Sequence, residues 1–278
     1  FLTGFLHHLF GLAAQGVHLF PGLIQKLARL LAQGLGTGGR GRGLVRRGQQ
    51  TVLVPLSLGH ARGLLVTQDA AQHLADEALG QFLAELEELS KVCREEGLFL
   101  YVDGARLAYA LAAGDIKLED YARLTDAFCI GGTKCGALGC EALVITDQKL
   151  ARDFLSAQRQ RGALLSKGRL AGLSFSTFFT DDLYGKIGKR AIEQAMMLKT
   201  AFVRAGIELY IDSPTNQQFV LLNDAAIEHL KGKFIWEDCG KHSDGRTIAR
   251  FCTAWSTTDE ALQALLDALG EMASEAKV

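Results

Sequence analysis

The stretch LFLYVDGAR (Leu98–Arg106) decides the fold. It opens on an unbroken apolar run with no alternating polar face, which describes a strand buried on both sides, the habit of a parallel sheet. Gly97 closes the segment ahead of it, Phe82–Glu96, whose Leu83, Leu86, Leu89, Val92 and Cys93 share one helical face. Working outward, the pattern predicts a helix over Leu118–Leu124, a second strand over Ala127–Ile130 and a third over Ala142–Ile145. Asp147–Gln160 reads as helical, and Ala171–Ala205 as two helical stretches around Thr180, Asp181 and Asp182. Beyond, short strands at Ile207–Ile211, Phe219–Leu222, Phe234–Glu237 and Thr247–Thr253 alternate with helices at Ala225–Lys231 and Thr258–Ala273. The middle of the chain is therefore α/β and the tail a small α+β cap.

Two strand ends carry chemistry. Asp103-Gly-Ala-Arg106 leaves the first buried strand, and Gly131-Gly-Thr-Lys134 leaves the second. Open α/β sheets gather functional groups at the carboxyl ends of their strands. A carboxylate there can hold a protonated ring nitrogen, and a lysine in a dry site can lose its charge and act as a nucleophile. Glycines beside Lys134 allow backbone to approach a ligand closely. Yet Asp-Gly is a common turn, and a lysine after two glycines is commonly a solvated cation, so spacing alone leaves both readings open.

Composition narrows the classes. The 278 residues are 48% hydrophobic and 22% charged, which suits a globular chain with a sizeable core. Lys+Arg of 30 against Asp+Glu of 31 gives a formal net charge of -1, which excludes bulk nucleic-acid binding or adhesion to an anionic membrane. Cys93, Cys129, Cys135, Cys140, Cys239 and Cys252 form no CxxC pair, so neither a disulfide framework nor a metal site is expected. No apolar run reaches the roughly 18 residues of a membrane-spanning helix. Phe1 is not an initiator methionine, and a processed chain or a fragment is expected.

A seam lies near Gly80. Residues 1–80 have Lys26 as their sole lysine and Asp69, Asp76 and Glu77 as their sole acids. They hold His7, His8, His18, His60 and His73, and lack Tyr, Asn, Trp, Met and Cys. Gly34–Gly48, GLGTGGRGRGLVRRG, is low-complexity and basic. An organellar leader, a basic nucleic-acid arm, and a shifted or opposite reading frame joined to a coding region all compete, the last favoured. The expectation is a poorly ordered segment.

Residues 81–278 resemble the threonine aldolase/β-eliminating lyase group of pyridoxal-phosphate enzymes, of the fold-type I, aspartate aminotransferase-like superfamily. The resemblance runs through LSKVCREEGLFLYVDGARLAYAL (Leu89–Leu111), AFCIGGTKCGAL (Ala127–Leu138), QRGALLSKGRLAG (Gln160–Gly172), Tyr210–Phe219 and TIARFCTAWSTTDEA (Thr247–Ala261). It implies an incomplete large domain over 81–195 and a small carboxyl-terminal domain over 196–278. It also implies that Lys134 carries the cofactor covalently, that Asp103 pairs with the ring nitrogen, and that Ala105 packs on the ring face. Arg106 matches an arginine beside the cofactor, Thr133 a phosphate-contacting hydroxyl, and Arg250 the arginine that binds the substrate carboxylate. Arg159, Arg161 and Lys167 form a basic cluster near the cofactor or its dimer-related copy, with the phosphate contact among them left open.

The activity this implies is cleavage of a β-hydroxy-α-amino acid to glycine and an aldehyde, by a cytoplasmic homodimer or homotetramer. The alternative is an inactive or truncated relative, because the sequence departs from the group. The glycine-threonine phosphate loop, the ring-stacking aromatic or histidine and further strands are not legible in 1–80. Gly36-Thr37-Gly38 reads as a chance echo, and His60 and His73 as stray histidines. Gly139-Cys140 stands where the group usually has phenylalanine and glycine. Cys135, directly after the lysine, reads as an ordinary variable residue.

Overall fold

The computed structural model describes residues 54–58, 61–67 and 82–275. The sequence expectations for 1–53, Gly34–Gly48 included, lie outside the described residues, as do His60 and His73.

The larger sheet has the order β1-β2-β3-β4-β5. Its strands are β1 (Val54–Leu58), β2 (Ala61–Thr67), β3 (Phe99–Asp103), β4 (Ala127–Ile130) and β5 (Ala142–Ile145). The strand read from LFLYV is β3, and it runs parallel to both β2 and β4, the setting its continuous apolar run predicts. Two strands from before the seam thus extend a sheet whose upstream part was not legible. β1 and β2 pair antiparallel, and Thr67 stands opposite Asp103. β5 closes the other edge antiparallel to β4.

Helix α1 (Phe82–Glu95) buries Leu86, Leu89, Val92 and Cys93 of the face its spacing predicts, while Leu83 is only partly buried and Phe82 is buried in addition. α2 (Leu107–Ala113) was not expected. Its leucine and alanine residues form helix readily but give no amphipathic stripe, because Leu107, Ala108, Tyr109, Ala110 and Ala113 are all buried. α3 (Leu118–Leu124) follows, then α4 (Gln148–Ala151), α5 (Phe154–Gln160), α6 (Arg169–Phe178) and α7 (Leu183–Arg204).

The second sheet is antiparallel, with the order β6-β7-β9-β8. It comprises β6 (Glu208–Ile211), β7 (Gln217–Leu222), β8 (Glu237–Lys241) and β9 (Thr247–Cys252), with α8 (Asp224–Leu230) and α9 (Asp259–Glu275). The strand expected at Phe234–Glu237 instead begins at Glu237. Its residues are mostly exposed, so it pairs with β9 through its backbone as a polar edge, while Ile235, the apolar residue that suggested the strand, is 98% exposed.

Among the described residues there are two hydrophobic cores, and α7 joins them. Ala191 packs in the first, with Leu100, Leu107, Phe128 and Tyr184; Leu198 and Phe202 pack in the second, with Val220, Leu222 and Leu269. The expected division at 195/196 falls inside this one helix. Gly188 lets α7 touch α2: a Cβ there would collide with the Ala108 carbonyl and crowd Ala112. Gly188→Ala should therefore destabilise the fold by about 1–3 kcal/mol despite alanine's better helix propensity. Chemical denaturation should show a lower midpoint; an unchanged or raised one would mean that α2 yields easily.

Candidate active site

The parallel pairing of β3 with β4 aligns Tyr101 with Ala127 and Val102 with Phe128, so Asp103 and the turn after Ile130 emerge side by side. Two glycines set how closely the emerging loops approach. A Cβ on Gly104 would collide with the Cys129 carbonyl, and one on Gly131 with the Ala105 carbonyl. The Gly131 N–H instead donates to the Gly104 carbonyl at 2.9 Å.

Beyond Gly131 the chain makes a single 3-10 turn, Thr133–Cys135, ended by Gly136 at φ 103, a left-handed conformation that favours glycine. The Gly132 N–H donates to Glu141 Oε2 at 2.7 Å. Two buried tyrosines brace the turn from below. The Tyr109 hydroxyl donates to the Lys134 carbonyl at 2.5 Å, and the Tyr184 hydroxyl to the Gly131 carbonyl at 2.9 Å. Burial holds both phenols above their ordinary range, so they donate at any physiological pH. Between them Cys135 is buried, and burial pushes its thiol up to about 11. The Lys134 side chain itself is exposed.

Asp103 is half-buried. Its Oδ1 accepts the Ala105 N–H at 3.1 Å and the Cys129 thiol at 3.4 Å. Arg106, next along, takes the N-cap position of α2. Arg250 arrives from the other sheet on β9, opposite Phe219 of β7 and Glu237 of β8. Its Nη1 donates to the buried Gln217 Oε1 at 2.7 Å, and its Nη2 pairs with Glu237.

Cys252 ties these parts together. It lies two residues beyond Arg250 on β9, and its sulfur accepts the Asn216 Nδ2 amide at 3.3 Å. It is exposed, within electrostatic reach of Arg106, Arg250 and Lys134. The loop after β3, the turn after β4 and strand β9 therefore lie within electrostatic reach of one thiol. Trp255 closes the arrangement, its indole packed over Gly136.

Of the residues expected from sequence, Asp103, Ala105, Arg106, Lys134 and Arg250 are thus drawn into one region. Thr133 is at the turn, exposed, with its hydroxyl 3.4 Å from the Cys140 carbonyl. Arg159, Arg161 and Lys167 lie apart on an exposed stretch, and no described bond links them to Lys134 or Asp103. Cys252, Gln217, Glu237, Tyr109 and Tyr184 were missed. For Cys252 the signal was present: residues two apart on a strand share a face, so Arg250 implicates it. Among the described residues no group of three or more His, Cys, Asp or Glu could hold a metal, and no helix is long and apolar enough to cross a membrane.

A family model described as beta-eliminating lyase matches residues 80–234. The chain belongs to the beta-eliminating lyase family. Among members of known sequence, it is 31% identical over 185 residues to a low specificity L-threonine aldolase of Pseudomonas aeruginosa, covering 65% of this chain and 52% of that protein. A low specificity L-threonine aldolase of another Pseudomonas is 31% identical over 184 residues, with the same coverage. Among solved structures, the threonine aldolase of Leishmania major superimposes with a TM-score of 0.69 at 34% identity, over 75% of this chain and 60% of that one. The fold of this beta-eliminating lyase family member is that of the fold-type I enzymes. The chain spans about half the length of the curated relatives it matches.

Proposed function

We propose that this chain is a pyridoxal-phosphate-dependent carbon–carbon lyase that cleaves β-hydroxy-α-amino acids to glycine and an aldehyde. The observation that carries this reading is the parallel register of β3 and β4, which brings half-buried Asp103 and the Lys134 turn out at neighbouring strand ends, with Trp255, five residues beyond Arg250, packed against that turn at Gly136. A primary amine, an acid and a planar guanidinium fork, each on a different element, match an amino-acid substrate and a cationic heteroaromatic ring.

The donor set fits the ring end of the cofactor. Both described hydrogen bonds to Asp103 end on Oδ1, so Oδ2 suits a ring N–H from outside the chain. Pyridoxal phosphate bound there would supply the electron sink for the pair left on Cα when Cα–Cβ breaks. Lys134 would hold it covalently, on a turn whose carbonyls are pinned by Tyr109 and Tyr184. Ala105 is small enough to lie against a flat ring, and Arg106 and Thr133 would contact the same cofactor. Arg250 would take the substrate carboxylate through two parallel N–H bonds, which fixes the direction of Cα–Cβ. Arg159, Arg161 and Lys167 are the candidates for a phosphate or substrate contact supplied across a subunit boundary.

The resemblance and the exposed Leu155, Leu164, Leu165, Leu170 and Leu173 support a homodimer or homotetramer. We read the enzyme as cytoplasmic, its substrate as a small β-hydroxy amino acid, and nucleic acid and membrane as no part of its function. The test is to add pyridoxal phosphate to purified protein, dialyse, and supply threonine. Retained visible absorbance together with release of glycine and acetaldehyde is expected. Retained cofactor without glycine release would establish the alternative, a catalytically inactive relative, and loss of the cofactor on dialysis would overturn the cofactor reading.

A further inference from the structure

Asp103 divides its oxygens unequally, and the division traces to Cys129. The Cys129 thiol donates to Asp103 Oδ1 at 3.4 Å. Its sulfur accepts the Gly104 N–H at 3.1 Å. Cys129 is buried on β4, and the Gly104 backbone presses so closely on its carbonyl that no side chain fits between. The sulfur is therefore placed by main chain on both strands. A carboxylate held by one donor can still rotate about its last bond. The Ala105 N–H and the thiol reach Oδ1 from different elements, and two such donors fix the plane.

We propose that Cys129 is a positioning residue for Asp103: its thiol, oriented by the Gly104 amide, anchors Oδ1 and turns Oδ2 toward the ring N–H of a pyridinium cofactor. The inference rests on the reading of Asp103 given above. A thiol suits the task because it is a weak donor, so it orients the carboxylate without drawing off the charge that the ring nitrogen needs. It also stays protonated: burial pushes it up to about 11, so at neutral pH it donates to Asp103 and adds no second negative charge.

The first measurement needs no cofactor. The S–H stretching band of Cys129, identified by its loss in Cys129→Ser, should move to higher frequency in Asp103→Ala, where the acceptor is gone. A band that stays in place would overturn the inference whatever the enzyme binds. The second uses pyridoxal phosphate labelled with 15N in the ring. Cys129→Ala should weaken cofactor binding about tenfold and move the ring-nitrogen shift toward that of Asp103→Ala, while Cys129→Ser, which keeps a donor, should restore most of both. Equal binding and an unmoved shift in Cys129→Ala would reduce Cys129 to core packing. If Cys129→Ala does not fold, Cys129→Ser against Cys129→Val decides by the same shift. No uptake by the wild-type chain would overturn the reading of the site and the cofactor half of this inference with it, and the thiol band would still decide the contact.

Discussion

Lys134→Ala should yield a folded protein that holds no covalently attached pyridoxal phosphate. Borohydride treatment followed by mass spectrometry should find one adduct on the wild-type chain, located at Lys134, and none on the variant. The two effects separate because the turn is braced through its backbone. Tyr109 bonds the Lys134 carbonyl and Tyr184 the Gly131 carbonyl, so truncating an exposed side chain leaves both bonds in place. Stability should change by no more than about 0.5 kcal/mol. Turnover of threonine should fall on the order of 10^3-fold or more, since no other group replaces a covalent attachment point. An adduct that persists on the variant at wild-type yield would move the attachment to another lysine and remove the present site.

How much of this could be read beforehand differs from element to element. β3 and β4 were legible because burial on both faces demands continuous apolar residues, and the chain obeys in Leu98–Val102 and Ala127–Ile130. Once those strands were placed, Asp103 and Lys134 followed as strand-end groups, and their adjacency required only that the strands be parallel neighbours. α2 was missed for the converse reason. A short helix buried all round has no polar face to mark its period, and Tyr109, the residue that pins the lysine turn, sits inside it. β8 was misplaced because hydropathy pointed to Phe234, Ile235 and Trp236, whereas an edge strand is defined by backbone pairing with β9. β2 lies in register with β3, although its surroundings in sequence have an alphabet unlike the rest of the chain. The second ring of the site, Gln217, Glu237 and Cys252, depends on the register between β7, β8 and β9, which no single segment encodes. Arg250 alone was available from the resemblance, without the partners that hold it.

Those partners set the terms of the second large effect. Arg250→Ala should leave cofactor attachment intact and weaken amino-acid binding by about 2–4 kcal/mol, roughly 30- to 1000-fold in KM. Lys134 stands in the turn after β4 of the first sheet and Arg250 on β9 of the second, so removing the guanidinium does not disturb the lysine turn. Yet the arginine already has partners on its own sheet. Nη1 is bound to Gln217, which is 1% exposed, while Nη2 pairs with Glu237, whose side chain is 58% exposed. The buried amide is the fixed support, and the solvated carboxylate is the partner that an incoming substrate carboxylate can displace. Alanine leaves the Gln217 oxygen without its charged donor, which should cost about 1–3 kcal/mol of stability. Arg250→Lys separates the two consequences: an ammonium can still reach one acceptor but cannot hold a carboxylate by two parallel bonds. Stability should therefore recover in the lysine variant while KM stays high. If the lysine variant restored KM as well, recognition would rest on charge alone and the planar fork would have no role. If either variant lost the cofactor in proportion to substrate affinity, Arg250 would belong to the cofactor's binding set and not to the substrate's.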